Sequence, residues 1–176
     1  MKKYVQPFEY ARQICEAMKT GILLTTKIDD RVNTMTIGWG SVGIEWNRPI
    51  FIAYVRESRH TRIALDQTGE FTVNIPINGV DPKLLRYCGT VSGRDTDKIS
   101  DMQLTLEEPD KITVPGIREL PLTLECKVLF QQPQNPELLP QEIRQRFYPV
   151  QTPDSNPDYH IAYYGEIVSS YIISDD

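Results

Sequence analysis

The chain has 176 residues, 40% of them hydrophobic and 24% charged, which fits one ordinary globular domain with a core that needs no staples. The formal net charge is −5 and no basic stripe runs along the chain, which argues against nucleic acid or a membrane surface as partner. Cys15, Cys88 and Cys126 are far apart and odd in number, so neither a disulfide framework nor a zinc site is expected, and a reducing cytoplasm fits. No apolar run reaches the roughly 18 residues of a membrane helix, and the basic start lacks the apolar stretch of a signal peptide.

Residues 7–19 read as a helix, because Phe8, Ala11, Ile14, Cys15 and Met18 recur at helical spacing. Pro7 suits its first turn and Gly21 its end. Residues 22–28 and 32–37 read as two strands joined by a turn at Asp29-Asp30-Arg31. Pro49 introduces a β-forming run over 50–55, and a short helix fits 60–67, stopped by Thr68-Gly69. Residues 71–75 are a further strand ended by Pro76. Residues 82–91 fit a helix with Leu84, Leu85 and Cys88 inward, and Asp97 caps a brief helix through Met102. A long strand covers 122–131, and 160–173 holds one or two more. Between them, residues 132–159 are rich in Pro, Gln and Asn, with a short helix at 141–147. Loops of that length usually have a task. Asp29-Asp30 and Asp175-Asp176 read as solvated ends. Many short strands and few helices predict an antiparallel barrel, with an α+β sandwich as the alternative.

Gly38-Trp39-Gly40-Ser41-Val42-Gly43 matches G-x-G-x-x-G after a predicted strand. The context excludes a dinucleotide fold. Pro49 and the next strand arrive six residues after Gly43, whereas a parallel crossover needs about a dozen or more. A glycine-rich connection, or a backbone that lets something flat approach, remains.

Arg56-Glu57-Ser58-Arg59-His60-Thr61 lies between a predicted strand and a predicted helix. A helix start offers unpaired N–H groups and partial positive charge, an anion site. Ser58 and Thr61 add hydroxyls, Arg56 and Arg59 add charged forks suited to phosphate, and His60 is a further donor. The plain alternative is a solvated turn with the two arginines paired to Glu57 and Asp66. Cys88 reads as packing, His160 as core-edge or substrate-facing. Two histidines without an acid–His–nucleophile pattern give no support to hydrolase chemistry.

Four stretches carry a family resemblance: residues 32–39 (Val-Asn-Thr-Met-Thr-Ile-Gly-Trp), residues 49–61, residues 70–76 (Glu-Phe-Thr-Val-Asn-Ile-Pro) and residues 88–98 (Cys-Gly-Thr-Val-Ser-Gly-Arg-Asp-Thr-Asp-Lys). In order and spacing they resemble the flavin reductase-like, FMN-binding split-barrel proteins, flavoredoxins included. The resemblance implies a mainly β fold with minor α, an antiparallel Greek-key split barrel with peripheral helices, spanning residues 1–176 as one domain. It implies FMN as cofactor, with Thr36, Gly38, Trp39, Gly40 and Tyr54 along the flavin. Arg56, Ser58, Arg59, His60 and Thr61 would surround its phosphate. Asn74, Ile75 and Pro76 would approach the ring edge, and Lys98 the phosphate or ribityl chain. Taken alone, Trp39 reads as core and Lys98 as surface, and the amide of Asn74 needs a bonding partner. The implied activity is hydride transfer from NAD(P)H to FMN by a cytoplasmic homodimer. An electron carrier served by a protein donor is the alternative. Residues 132–159 match no motif of the family.

Overall fold

The computed structural model describes residues 1–150, 152 and 155–174; Pro153 of the proline-rich segment and the closing Asp175 and Asp176 lie outside the described residues. The chain runs through β1 (Lys2–Tyr4), a 3-10 turn (Pro7–Tyr10), α1 (Ala11–Met18), β2 (Ile22–Ile28), β3 (Arg31–Ile37), β4 (Gly40–Glu45), β5 (Arg48–Arg56), α2 (Thr61–Thr68) and β6 (Glu70–Ile75). It continues through α3 (Pro82–Thr90), α4 (Lys98–Asp101), β7 (Leu106–Glu107), β8 (Gly116–Ile117), β9 (Leu122–Pro133), a 3-10 turn (Pro136–Leu138), α5 (Gln141–Phe147) and β10 (His160–Ile173).

The main sheet has the order β3-β2-β6-β9-β10-β5-β4, with β1 added to the far end of β10, and its pairings are antiparallel. Its two end strands are consecutive in the chain, joined only by Gly38 and Trp39. Laid flat, six strand spacings would hold β3 and β4 about 29 Å apart. Three Cα steps reach only about 11 Å. The sheet is therefore forced to curl until its ends meet. Within this sheet β3 is hydrogen-bonded only to β2, and β4 only to β5, so the barrel is split along a seam at Gly38-Trp39.

Alternation along the strands fills the barrel. Ile22 and Leu24, Phe71, Val73 and Ile75, and Leu122, Leu124 and Cys126 point into one cluster with Phe51, Val55 and Tyr163. The opposite face of β2 sends Leu23 into a second cluster with Leu84, Leu85 and Cys88 of α3. Helix α1 contributes Ile14 and Met18 to the barrel, while Phe8 and Cys15 of the expected inward face are exposed. The first turn is 3-10 rather than α, which breaks the spacing that placed Phe8 with Ile14. Helix α2 ends at Gly69, whose φ of 64° is the left-handed stop that glycine adopts at little cost.

The glycine-rich stretch is a strand. Residues 40–45 pair with β5 in a hairpin closed by Trp46 and Asn47, both at positive φ (50° and 59°). Such a two-residue turn follows the twist of its strands. The glycines predict a connection here, and the Trp-Asn turn carries none of the usual Asn-Gly hairpin signal. Gly40 is there for packing: a Cβ would stand 2.8 Å from Phe51 Cζ and 2.9 Å from Met18 Sδ. Among the described residues no helix is long and apolar enough to cross a membrane.

Candidate functional site

The seam opens a cleft of about 160 Å³ lined by residues 35–39 of β3 and its exit, by Tyr54 and Arg56 of β5, and by Arg59 and His160. In the sheet, β3 pairs only through β2, so its outer edge offers backbone N–H and C=O groups for a ligand. Trp39 stands at the mouth, 41% exposed, so it is not a core residue. Its ring lies 5.3 Å from Phe147 and 4.9 Å from His160.

Arg56 and Arg59 also line the adjoining cleft of about 610 Å³, shared with Ser58, Arg146, Phe147, Tyr148 and Asp158. Arg56 donates to the carbonyls of Asp158 (2.7 Å) and Phe147 (3.0 Å), and Arg59 to that of Gly89 (3.1 Å). Neither pairs with Glu57 or Asp66: Asp66 is held by Arg62 and by the hydroxyl of Tyr163. Carbonyls leave each guanidinium with further N–H donors, and among the described residues neither makes an ion pair. At the surface between them the Ser58 N–H (3.0 Å) and hydroxyl (2.7 Å) both donate to the carboxylate of Asp158. The loop thus already binds an anion, supplied by the chain itself.

His160 is the site residue that sequence reasoning left undecided. It is 6% exposed, and its Nδ1 lies 2.8 Å from the hydroxyl of Tyr148. Burial, then the charge of Arg56, pushes its pKa down to about 4, against a smaller opposing effect of Asp158, so the ring is neutral near pH 7. Nothing local in the sequence signals this, because Tyr148 and Arg56 reach it from other elements.

The remaining expected residues part company. His60 and Thr61 do not line these two clefts. His60 lies in a separate groove with Asp29, Arg31 and Asp97; its Nδ1 is buried without a hydrogen-bond partner among the described residues, and burial followed by Arg31 lowers its pKa. Thr61 is buried and accepts from Asn33 Nδ2 (3.0 Å). Lys98 is neither surface nor cleft. It is 4% exposed and donates to the carbonyls of Thr34 (2.9 Å) and Cys88 (2.8 Å), tying β3 to the end of α3, and burial lowers its pKa. Asn74 is fully buried on the outer barrel face, within hydrogen-bond reach of Thr25, Thr72 and Thr123, and Ile75 is core. The threonines answer the amide's need for partners. Pro76 lines another cleft, of about 630 Å³, with Ile77, Val80 and Leu85. Thr36 borders both that cleft and the seam, and its hydroxyl donates to Leu85 O (2.6 Å). The structure therefore gathers Thr36, Gly38, Trp39, Tyr54, Arg56 and Arg59 at the seam, with Ser58 beside them.

The fold is shared with known structures. A flavoredoxin from Methanosarcina acetivorans is 27% identical, with a TM-score of 0.65 over 88% of this chain and 68% of its own. An FMN-binding domain of a flavin reductase-like enzyme from Shewanella baltica superposes with a TM-score of 0.67 at 16% identity, over 98% and 77%. In sequence, an uncharacterized protein from Archaeoglobus fulgidus is 31% identical over 100 residues, 57% of this chain; the match spans about half of that relative, 55%. The model of the flavin reductase like domain matches residues 16–176, taking in the seam, the anion-binding loop and the closing strand: the chain belongs to the flavin reductase-like family.

Proposed function

We propose that this protein binds FMN along the seam and transfers electrons from NADH or NADPH through it. The observation that carries this reading is the join of two unlike surfaces. An exposed strand edge with an aromatic ring at its mouth leads to a serine that holds a carboxylate and to two arginines that line the same cleft. A flat, amide-rich ring with a side chain that ends in a phosphate matches that sequence of surfaces. The fit is a matter of donor chemistry: backbone groups of residues 35–39 for the ring, and Arg56, Ser58 and Arg59 for the phosphate. When bound, FMN supplies hydride acceptance and onward electron transfer.

In this reading the chain's residues bind and orient rather than react. Trp39 and Tyr54 bound the ring. Arg56 and Arg59 would hold the phosphate by charge-assisted hydrogen bonds, and the backbone N–H groups of the seam would face the ring. His160, neutral and paired to Tyr148, offers a polar wall without adding charge. No residue is assigned as acid or base, and both nicotinamides are admitted as donor.

A second reading, an FMN electron carrier served by a protein donor, draws on the 27% identity to a flavoredoxin. Stopped-flow mixing of the FMN-loaded protein separates the two. Rapid bleaching of the flavin absorbance by NADH or NADPH is expected for the reductase. Bleaching by a reduced protein donor alone establishes the carrier, and protein that takes up no flavin overturns both.

A further inference from the structure

Resting on the FMN reading above, the geometry points to Asp158 as a specificity-determining residue. Its carboxylate occupies the position of the flavin phosphate and competes with it, so that FMN is held as an exchangeable ligand.

The contact is built into the sheet. In the β5–β10 ladder His160 pairs with Arg56 and Ile161 with Val55. One step beyond its end, the N–H of Glu57 donates to the carbonyl of Tyr159 (3.0 Å). The next step sets Asp158 opposite Ser58, and there the carboxylate takes both the N–H and the hydroxyl, one to each oxygen. Arg56 fixes the same residue from behind through its carbonyl. Asp158 is thus placed by the ladder that forms the site, and a substitution elsewhere in residues 132–159 need not move it.

A carboxylate accepting two donors from a serine beside two arginines is a surrogate for a phosphate. The two anions cannot share Ser58. A phosphate entering between Arg56 and Arg59 must displace Asp158 and then sits near its charge, within the range where like charges repel appreciably. Riboflavin, which has no phosphate, meets neither obstacle. Asp158 therefore reduces the preference for FMN over riboflavin that the arginines create. A flavin held this way leaves the site more readily than one bound by arginines alone, as a flavin reduced for use elsewhere must.

The test is the affinity of the full-length chain for FMN and for riboflavin, read by quenching of flavin fluorescence, in the wild type, Asp158→Asn and Asp158→Ala. The expected result is FMN tightening by about tenfold in D158A, with riboflavin within about twofold. D158N keeps the shape and an acceptor while removing the charge, so it tests the same point if D158A is unstable. Weaker or unchanged FMN binding, or equal tightening of both flavins, overturns the inference. A wild type that binds neither flavin fails at the proposed function and takes this inference with it, a result distinct from an unresponsive FMN affinity. The Ser58 amide resonance gives a readout without a variant: it is expected to shift on adding FMN and not riboflavin, and an identical response to both contradicts the competition.

Discussion

His160 makes folding stability depend on pH in a defined window. Its imidazole titrates near 6.5 when unfolded and at about 4 in the fold, because burial and then Arg56 disfavour the charged ring. The unfolded chain therefore binds the proton more readily. The sign follows: the contribution of a neutral His160 is fully present above pH 6.5 and is lost as pH falls through 6.5 towards 4. Linkage puts the loss at about 2 kcal/mol by about pH 5. One side of the ring borders an open cleft, and partial solvation there brings the expected value down to about 1 kcal/mol. The perturbation is His160→Asn, which removes the titration and keeps a polar group near Tyr148. The assay is urea unfolding at about pH 7.5 and about pH 5, on both proteins. Protonation of carboxylates is common to the two, so the wild type should lose about 1 kcal/mol more than the variant on acidification. Equal losses would refute the argument that His160 is held neutral.

Two further outcomes follow from buried contacts. Lys98→Met removes both donors from the buried carbonyls of Thr34 and Cys88, and should cost about 2–4 kcal/mol in denaturant unfolding; a surface lysine would cost nothing measurable. Gly165→Ala would set a Cβ 2.6 Å from Phe71 Cζ and 2.9 Å from Cys126 Cβ. Phe71 is fully buried, so overpacking should destabilise by about 1–3 kcal/mol, read as a lower melting temperature.

The barrel was legible because its strands alternate or run apolar between turn signals, as in residues 22–28 and 71–75. Strand β4 was not: Gly40-Ser41-Val42-Gly43 has little β propensity, and it forms because the facing β5 supplies a ladder and Phe51 and Met18 demand a residue without a side chain. Within the site, the composition and position of Arg56, Ser58 and Arg59 suggest an anion loop, and the structure shows Ser58 holding a carboxylate with the two arginines lining the same cleft. Their neighbours His60 and Thr61 share that composition but turn to other surfaces, since successive residues entering a helix point in different directions. The amide of Asn74 is legible as needing partners, which are threonines of neighbouring strands, whereas Lys98 reads as surface and is instead buried on the carbonyls of Thr34 and Cys88. The sequence leaves His160 undecided between core-edge and substrate-facing and gives no sign of Asp158, because their roles exist only through the β5–β10 register, which no local pattern encodes.

The central claim is that the loop at Arg56, Ser58 and Arg59 receives the phosphate of FMN. Its most direct test is a fluorescence titration of Arg59→Ala with FMN and with riboflavin, since the second lacks the phosphate and controls for loss of the Arg59–Gly89 contact. FMN is expected to weaken by at least about tenfold, the equivalent of one charge-assisted bond, with riboflavin little changed. Equal weakening of both ligands, or no effect on FMN, would contradict the account.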